Sequence, residues 1–142
     1  MIFRLSVFLL VLYLSIPAAL AQENKPYNPD DAICGIDNRG CVLKNLRRYA
    51  KEIEKDAWRD QTFRDLAKSF AGDGHIDVAI SIIADVNNPD TKAMTIRGIG
   101  MEMADLELSK EQLDTEFEKL RREAEKIEHP PSYAIALTYI AM

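Results

Sequence analysis

The chain is predicted to be all-α, with antiparallel helical hairpins stacked in series and about six helices following an export signal. Three observations carry that prediction. Beyond Cys41, apolar residues recur at alternating steps of three and four, which is the period of one helical face. Clusters that stop helices, Gly72-Asp73-Gly74, Asn87-Asn88-Pro89 and His129-Pro130-Pro131, divide this pattern into segments. The apolar pattern also returns on itself at a nearly fixed spacing, as set out below.

Residues 1–21 read as a secretory signal peptide. Arg4 is the charge of a short leading region, Leu5 to Leu14 is an apolar run, and Ala19 and Ala21 are the small residues of a cleavage site. Retention as an anchor is the competing reading, since Ile2 to Ala21 approaches the roughly 20 residues that span a bilayer. Pro17 and the short apolar core favour cleavage after Ala21 and no stable membrane insertion thereafter. The protein is therefore expected to be exported, to the periplasm or the extracellular space.

Residues 22–40 read as an extended leader with a loop closed by Cys34 and Cys41, the only two cysteines. In an exported chain, a close pair with Gly35, Asn38 and Gly40 between them predicts one local structural disulfide. Its spacing is not that of a Cys-x-x-Cys redox motif.

Residues 41–142 read as a single all-α domain. Leu43, Leu46, Ala50, Ile53 and Ala57 form a first stripe. The phase then slips to Phe63, Leu66, Ala67 and Phe70, which predicts a turn near Asp56 to Asp60. A helix carrying Ile76, Ala79, Ile80, Ile83 and Val86 follows the Gly72-Asp73-Gly74 break. The next runs from about Asp90 to Ala104 with Ala93, Ile96, Ile99, Gly100 and Met103 inward. Gly98 and Gly100 each cost about 1 kcal/mol relative to Ala in a helix, and at such positions they predict close approach of another helix. Ser109 with Gln112 predicts a capping box, and Leu108 with Leu113 a hydrophobic staple. The helix they start carries Leu113, Phe117, Leu120, Ala124 and Ile127. Ser132 is expected to cap a last apolar helix that reaches the end of the chain.

Sliding the sequence by 41 residues lays Ile76, Ala79, Ile83, Val86, Pro89, Ala93, Ile96, Ile99 and Gly100 on Phe117, Leu120, Ala124, Ile127, Pro130, Ala134, Leu137, Ile140 and Ala141. A slide of 33 lays Phe63, Leu66, Ala67 and Phe70 on Ile96, Ile99, Gly100 and Met103. The unit is thus about 33 residues, enlarged by some eight around Leu106 to Gln112. Helix, turn and helix at this period predict stacked hairpins.

In these residues the chain resembles the tetratricopeptide repeat family over about two and a half units, Asp60 to Met142. Phe63, Leu66, Ala67 and Phe70 stand at the family's first-helix positions, and Gly74, Ile76, Ala79, Ile83 and Val86 at its turn glycine and second-helix core. Phe63 replaces the usual tryptophan, the proline comes about two residues early, and the second turn is enlarged. The resemblance implies a short helical solenoid whose concave face binds another polypeptide. Its motifs are packing motifs and specify no particular partner.

Composition narrows the function classes. The chain has 18 Lys+Arg against 23 Asp+Glu and a net charge of −5, without the basic surplus that nucleic-acid binding requires. Residues 22–71 carry ten basic and nine acidic side chains, and residues 72–142 carry seven and fourteen. Lys44, Arg47, Arg48, Lys51 and Lys55 cluster on the first helix of the domain, either as a solvated face or as a contact for an acidic partner.

No pattern requires catalysis, a metal or a cofactor. Asp73, His75 and Asp77 form the one cluster that invites such chemistry, and Asp73 reads better as a helix cap and Asp77 as a first-turn acid. Neither Gly72-Asp73-Gly74 nor Gly98-Ile99-Gly100 follows a strand, so neither is a phosphate-binding loop.

The candidate binding residues are Arg64, Lys68, Met94, Arg97 and Met101, all off the core stripes of two first helices. Flexible methionines there suit an adaptable apolar contact. The expected function is a non-catalytic protein-protein interaction module, a scaffold or adaptor for a protein or peptide. The alternative is a small cell-envelope inhibitor or immunity-type protein, acting as a homodimer through the apolar C-terminal helix.

Overall fold

The protein is described by a computed structural model in which residues 34–35 and 37–141 are described. The signal-peptide and leader readings for residues 1–33 lie outside them. Among the described residues there are six α-helices and no strand: α1 (Arg39–Ala50), α2 (Asp56–Gly72), α3 (Ile76–Ile82), α4 (Pro89–Ala104), α5 (Lys110–Ala124) and α6 (Pro130–Ile140), with a 3₁₀ turn at Ile83–Asp85. The fold is all-α, as the periodicity predicts. Among the described residues, no helix is long and apolar enough to cross a membrane.

Local chemistry sets most of the helix ends. The Asn38 side chain accepts from the Cys41 N–H at 3.0 Å and starts α1. Helix α1 thus begins within the loop closed by the Cys34–Cys41 disulfide, whose Cα atoms are 5.6 Å apart, rather than after Cys41. Helix α2 ends where Gly74 adopts a φ of 78°. There the His75 N–H reaches back to the Phe70 carbonyl at 2.9 Å, the six-to-one bond of a Schellman ending that glycine makes without strain. Asn88 accepts from the Thr91 N–H at 2.9 Å with Pro89 at the first helical position of α4. Ser109 and Gln112 form the expected reciprocal capping box of α5.

Three expectations about local structure are corrected. The break between the first two helices falls at residues 51–55, before Asp56, and not at Asp56 to Asp60. Ile53 still packs on the core after α1 has ended, so a stripe that looks continuous in sequence spans two elements. Helix α1 buries only Leu43 and Ala50, two turns apart, and Leu46 is 46% exposed. Second, Asp73 does not cap α3. The cap position belongs to His75, which makes no side-chain cap bond, and the Asp73 carboxylate pairs with Arg39 at 2.7 Å. Third, Ser132 does not cap α6. His129 takes that position, and Ser132 is buried within the first turn.

The core runs through all the helices. Phe63, Leu66, Ala67 and Phe70 of α2, Ile96, Ile99 and Met103 of α4, and Leu120 and Ala124 of α5 are buried with Ala136 of α6. Helix α4 packs against both α2 and α6, and α3 packs against α2 and α5. Thr95, which is not among the inward residues predicted for this helix, is also buried; its hydroxyl donates to the Thr91 carbonyl at 2.8 Å, which satisfies it within its own helix.

Cross-helix polar pairs fix how the helices sit side by side. Arg39 pairs with Asp73 near the starts of α1 and α3, and Arg47 pairs with Asp85 at 2.8 Å near their ends, so the two helices run in the same direction. Lys68 of α2 pairs with Glu102 of α4 at 3.3 Å. The Lys68–Glu102 and Arg39–Asp73 pairs both join residues 34 apart. Lys119–Asp77 and Ser132–Asp90 join residues 42 apart. Both separations are one more than the repeat spacings of 33 and 41 read from the sequence.

Among the described residues the one fully buried carboxylate is Asp60, 1% exposed. It accepts from the backbone N–H of Asn87 at 3.1 and 3.2 Å and from that of Asn88 at 2.6 Å. The start of α2 thereby holds the turn that opens α4.

Candidate functional site

Helix α4 carries three of the five candidate residues, and its two glycines decide what lies against it. A Cβ on Gly100 would sit 3.4 Å from Phe117 Cε1 and 3.8 Å from Leu120 Cδ1 of α5, so α5 comes as close as the missing side chain permits. At Gly98 the neighbours are the Lys68 stem carbons at 3.8 to 4.0 Å. Another helix thus lies against each glycine, α2 at Gly98 and α5 at Gly100, with the tighter contact at Gly100.

Beside Gly100 there is a cleft of about 290 Å³ lined by Arg97, Gly100, Met101 and Ala104 of α4, Phe117 of α5 and Tyr139 of α6. Its walls are aromatic rings, a thioether and small aliphatic groups, with one cation. The Arg97 guanidinium lies over the Tyr139 ring, 4.8 Å from its centroid, a cation–π contact. Among the described residues no carboxylate pairs with Arg97 and no acceptor takes its N–H groups. Met101 is 51% exposed at the mouth.

The five sequence candidates therefore separate. Arg97 and Met101 line one cleft. Lys68, on the neighbouring helix, is exposed and pairs with Glu102, the acid next to Met101. Arg64, half-buried, pairs with the adjacent Asp65 at 3.3 Å. Met94 is half-buried. Sequence reasoning missed Tyr139 as a wall of the site and placed Phe117 wholly in the core, whereas Phe117 is half-buried. The available signal was the spacing: Arg97 and Tyr139 are 42 apart, the same separation as Lys119–Asp77 and Ser132–Asp90.

Two further concavities carry charges of both signs. A hollow along α5 includes Glu111, Asp114, Glu118, Lys119 and Arg122. There Arg121 holds Glu118 in a two-pronged hydrogen bond, at 2.8 Å from Nε and 2.7 Å from Nη2. That bond draws the Glu118 carboxyl from 4.5 down to about 2, with Arg122 contributing less. Arg121 is raised in turn by Glu118. The Lys119 ammonium is pushed up by its bonds to Asp77 and then Glu116. A cleft of about 320 Å³ at the α5–α6 turn is lined by Lys92, Lys126, Glu128 and His129, among others.

His129, Ser132 and Asp90 are joined, but not as a nucleophilic triad. His129 Nδ1 lies 2.7 Å from Ser132 Oγ, and the Ser132 hydroxyl donates to Asp90. Ser132 is fully buried and its hydroxyl donates to the Asp90 carboxylate, so it is not presented as a nucleophile at the surface. The three residues tie the start of α6 to the start of α4. Asp73, His75 and Asp77 are not brought together: Asp73 faces Arg39, Asp77 faces Lys119, and the His75 ring meets the edge of Phe70 with centroids 6.3 Å apart. Among the described residues no group of three His, Cys, Asp or Glu is placed to hold a metal ion.

No family model matches this chain, and neither a curated protein nor a solved structure matches it.

Proposed function

We propose that the protein is an exported, non-catalytic interaction module, a scaffold or adaptor whose helices stack as tetratricopeptide-like hairpins and whose α2–α4–α6 face binds a protein or peptide. The observation that carries this reading is the Arg97–Met101 cleft, an apolar recess with an unneutralised cation on a face that also holds Lys68. Side-by-side contacts at separations of 34 and 42 support the hairpin stacking, because a repeat of helix pairs places equivalent helices next to one another at about the repeat length. The disulfide between Cys34 and Cys41 supports export, since such bonds persist in oxidising compartments. Affinity isolation with residues 22–142 from the native source tests the reading. An Arg64→Glu/Arg97→Glu variant of unchanged helicity is expected to lose the partner, and a partner retained by that variant would overturn the assignment.

A second reading, a small cell-envelope inhibitor acting as a homodimer, draws on α6. That helix has no charged residue, and Ile135 is 41% exposed on it. Sedimentation equilibrium decides between them: the inhibitor reading expects a dimer that Ile135→Asp returns to a monomer.

A further inference from the structure

We infer that the Arg97 cleft reads an acidic peptide, taking one large apolar side chain between Phe117, Met101 and Tyr139 while Arg97 receives a carboxylate from a nearby residue of the same segment. The inference rests on the peptide-binding reading above and gives it a sequence requirement. The contact with Tyr139, 4.8 Å from guanidinium carbon to ring centroid, is a cation–π one and takes up none of the five N–H donors of Arg97. Among the described residues nothing accepts from those donors. A fork of this kind fits a carboxylate with two parallel bonds. The nearest acid on α4, Glu102, is held by Lys68 at 3.3 Å, so the helix does not supply the missing anion itself.

The apolar half of the requirement comes from the other walls. At about 290 Å³ the cleft is at the small end of ligand sites, room for one side chain rather than a run of them. In an extended segment neighbouring side chains point to opposite sides, and residues two apart share a face about 7 Å from one another. The carboxylate is therefore expected two positions from the apolar anchor.

Selection from a displayed library of random heptapeptides, flanked on both sides by Gly-Ser so that no terminal carboxylate is present, tests this with immobilised residues 22–142. The expected result is enrichment of sequences with one large apolar residue and an Asp or Glu two positions away. On a synthetic acetylated and amidated winner, Glu→Gln is expected to weaken binding about tenfold or more, the scale of a charge-assisted bond. An Arg97→Gln variant is expected to bind the Glu and Gln peptides equally, and Arg97→Lys to fall between. Enrichment of apolar residues without an acid, or an acid preference that survives Arg97→Gln, would overturn this inference and leave peptide binding standing. No enrichment over the bare support would overturn both. Winners that copy a segment of this chain would overturn it in favour of a second copy as the occupant.

Discussion

The backbone N–H of Asn88 donates to the Asp60 carboxylate at 2.6 Å, and the Asn87 N–H joins it on the same group, 27 residues from the acid in sequence. The acid is 1% exposed and carries no cationic partner in this arrangement. Its stabilising neighbours are peptide dipoles at the turn before α4. Asp60→Leu takes the charged acceptor from both N–H groups, and a hydrogen bond to a charged group contributes about 1.5–3 kcal/mol. Urea denaturation of Asp60→Leu is expected to show a loss of about 2–4 kcal/mol by that scale, and Asp60→Asn, which keeps one carbonyl oxygen, a smaller loss. Equal losses in the two variants would show that side-chain volume, not the acceptor, is what the turn needs.

Reducing the Cys34–Cys41 bond should act on α1 before the rest of the fold. The closed loop is short, and chain entropy gives it about 2.5 kcal/mol. Cys34→Ser/Cys41→Ser is expected to increase amide exchange across Arg39–Ala50, with the α2 and α4 amides keeping their protection. Uniform acceleration over all helices would mean that α1 and the core open together.

Gly98 is an unused gain in stability. A methyl there meets only the flexible Lys68 stem at ordinary contact distance, and replacing glycine by alanine within a helix contributes about 0.5–1 kcal/mol. Gly98→Ala is expected to raise the urea midpoint. Gly100→Ala places its methyl against the Phe117 ring at 3.4 Å, so the same substitution two residues on should give less than Gly98→Ala.

The Glu118–Arg121 bond makes a pH-dependent contribution with a definite sign. Glu118 is depressed from 4.5 to about 2 in the folded protein. Its contribution is therefore present above pH 4.5 and is lost as pH falls from there through about 2. The group is exposed, so the effect is a titration shift more than a source of stability. Carbon-detected NMR titration should find the Glu118 carboxyl well below the other glutamates, and Arg121→Gln should return it most of the way, with Arg122 retaining a small share. Lys119 behaves oppositely: raised by Asp77, its contribution holds below 10.5 and fades as pH climbs through its higher folded value.

How much of this was legible beforehand depends on whether the information was local. Phe63, Leu66, Ala67 and Phe70 were readable as one buried face because helical period alone decides it, and the Ser109–Gln112 box because both halves lie within four residues. The end of α1 was not readable: Ile53 stays in phase with Leu43 and Ala50 although the helix has stopped, and period cannot distinguish a helix residue from a loop residue that returns to the same core. Asp60 was invisible as a buried acid, since the N–H groups that donate to its carboxylate lie on a turn 27 residues away. The candidate site was half readable. Exposure of Arg97 and Met101 followed from their position off the α4 stripe, but the ring of Tyr139 beneath Arg97 follows from how α6 lies along α4, which no window on either helix contains.

The pairs that hold the helices side by side have a kinetic meaning. Lys119–Asp77 and Ser132–Asp90 join residues only 42 apart, and each helix can be laid down against one already present. A chain with such short-range topology has little loop entropy to overcome at any step and belongs among fast folders. The same locality makes it divisible: α1 packs on α2 through only Leu43 and Ala50 and is tied at its edge by Arg39–Asp73 and Arg47–Asp85, so it is expected to open in a salt-sensitive step while α2 to α6 stay folded.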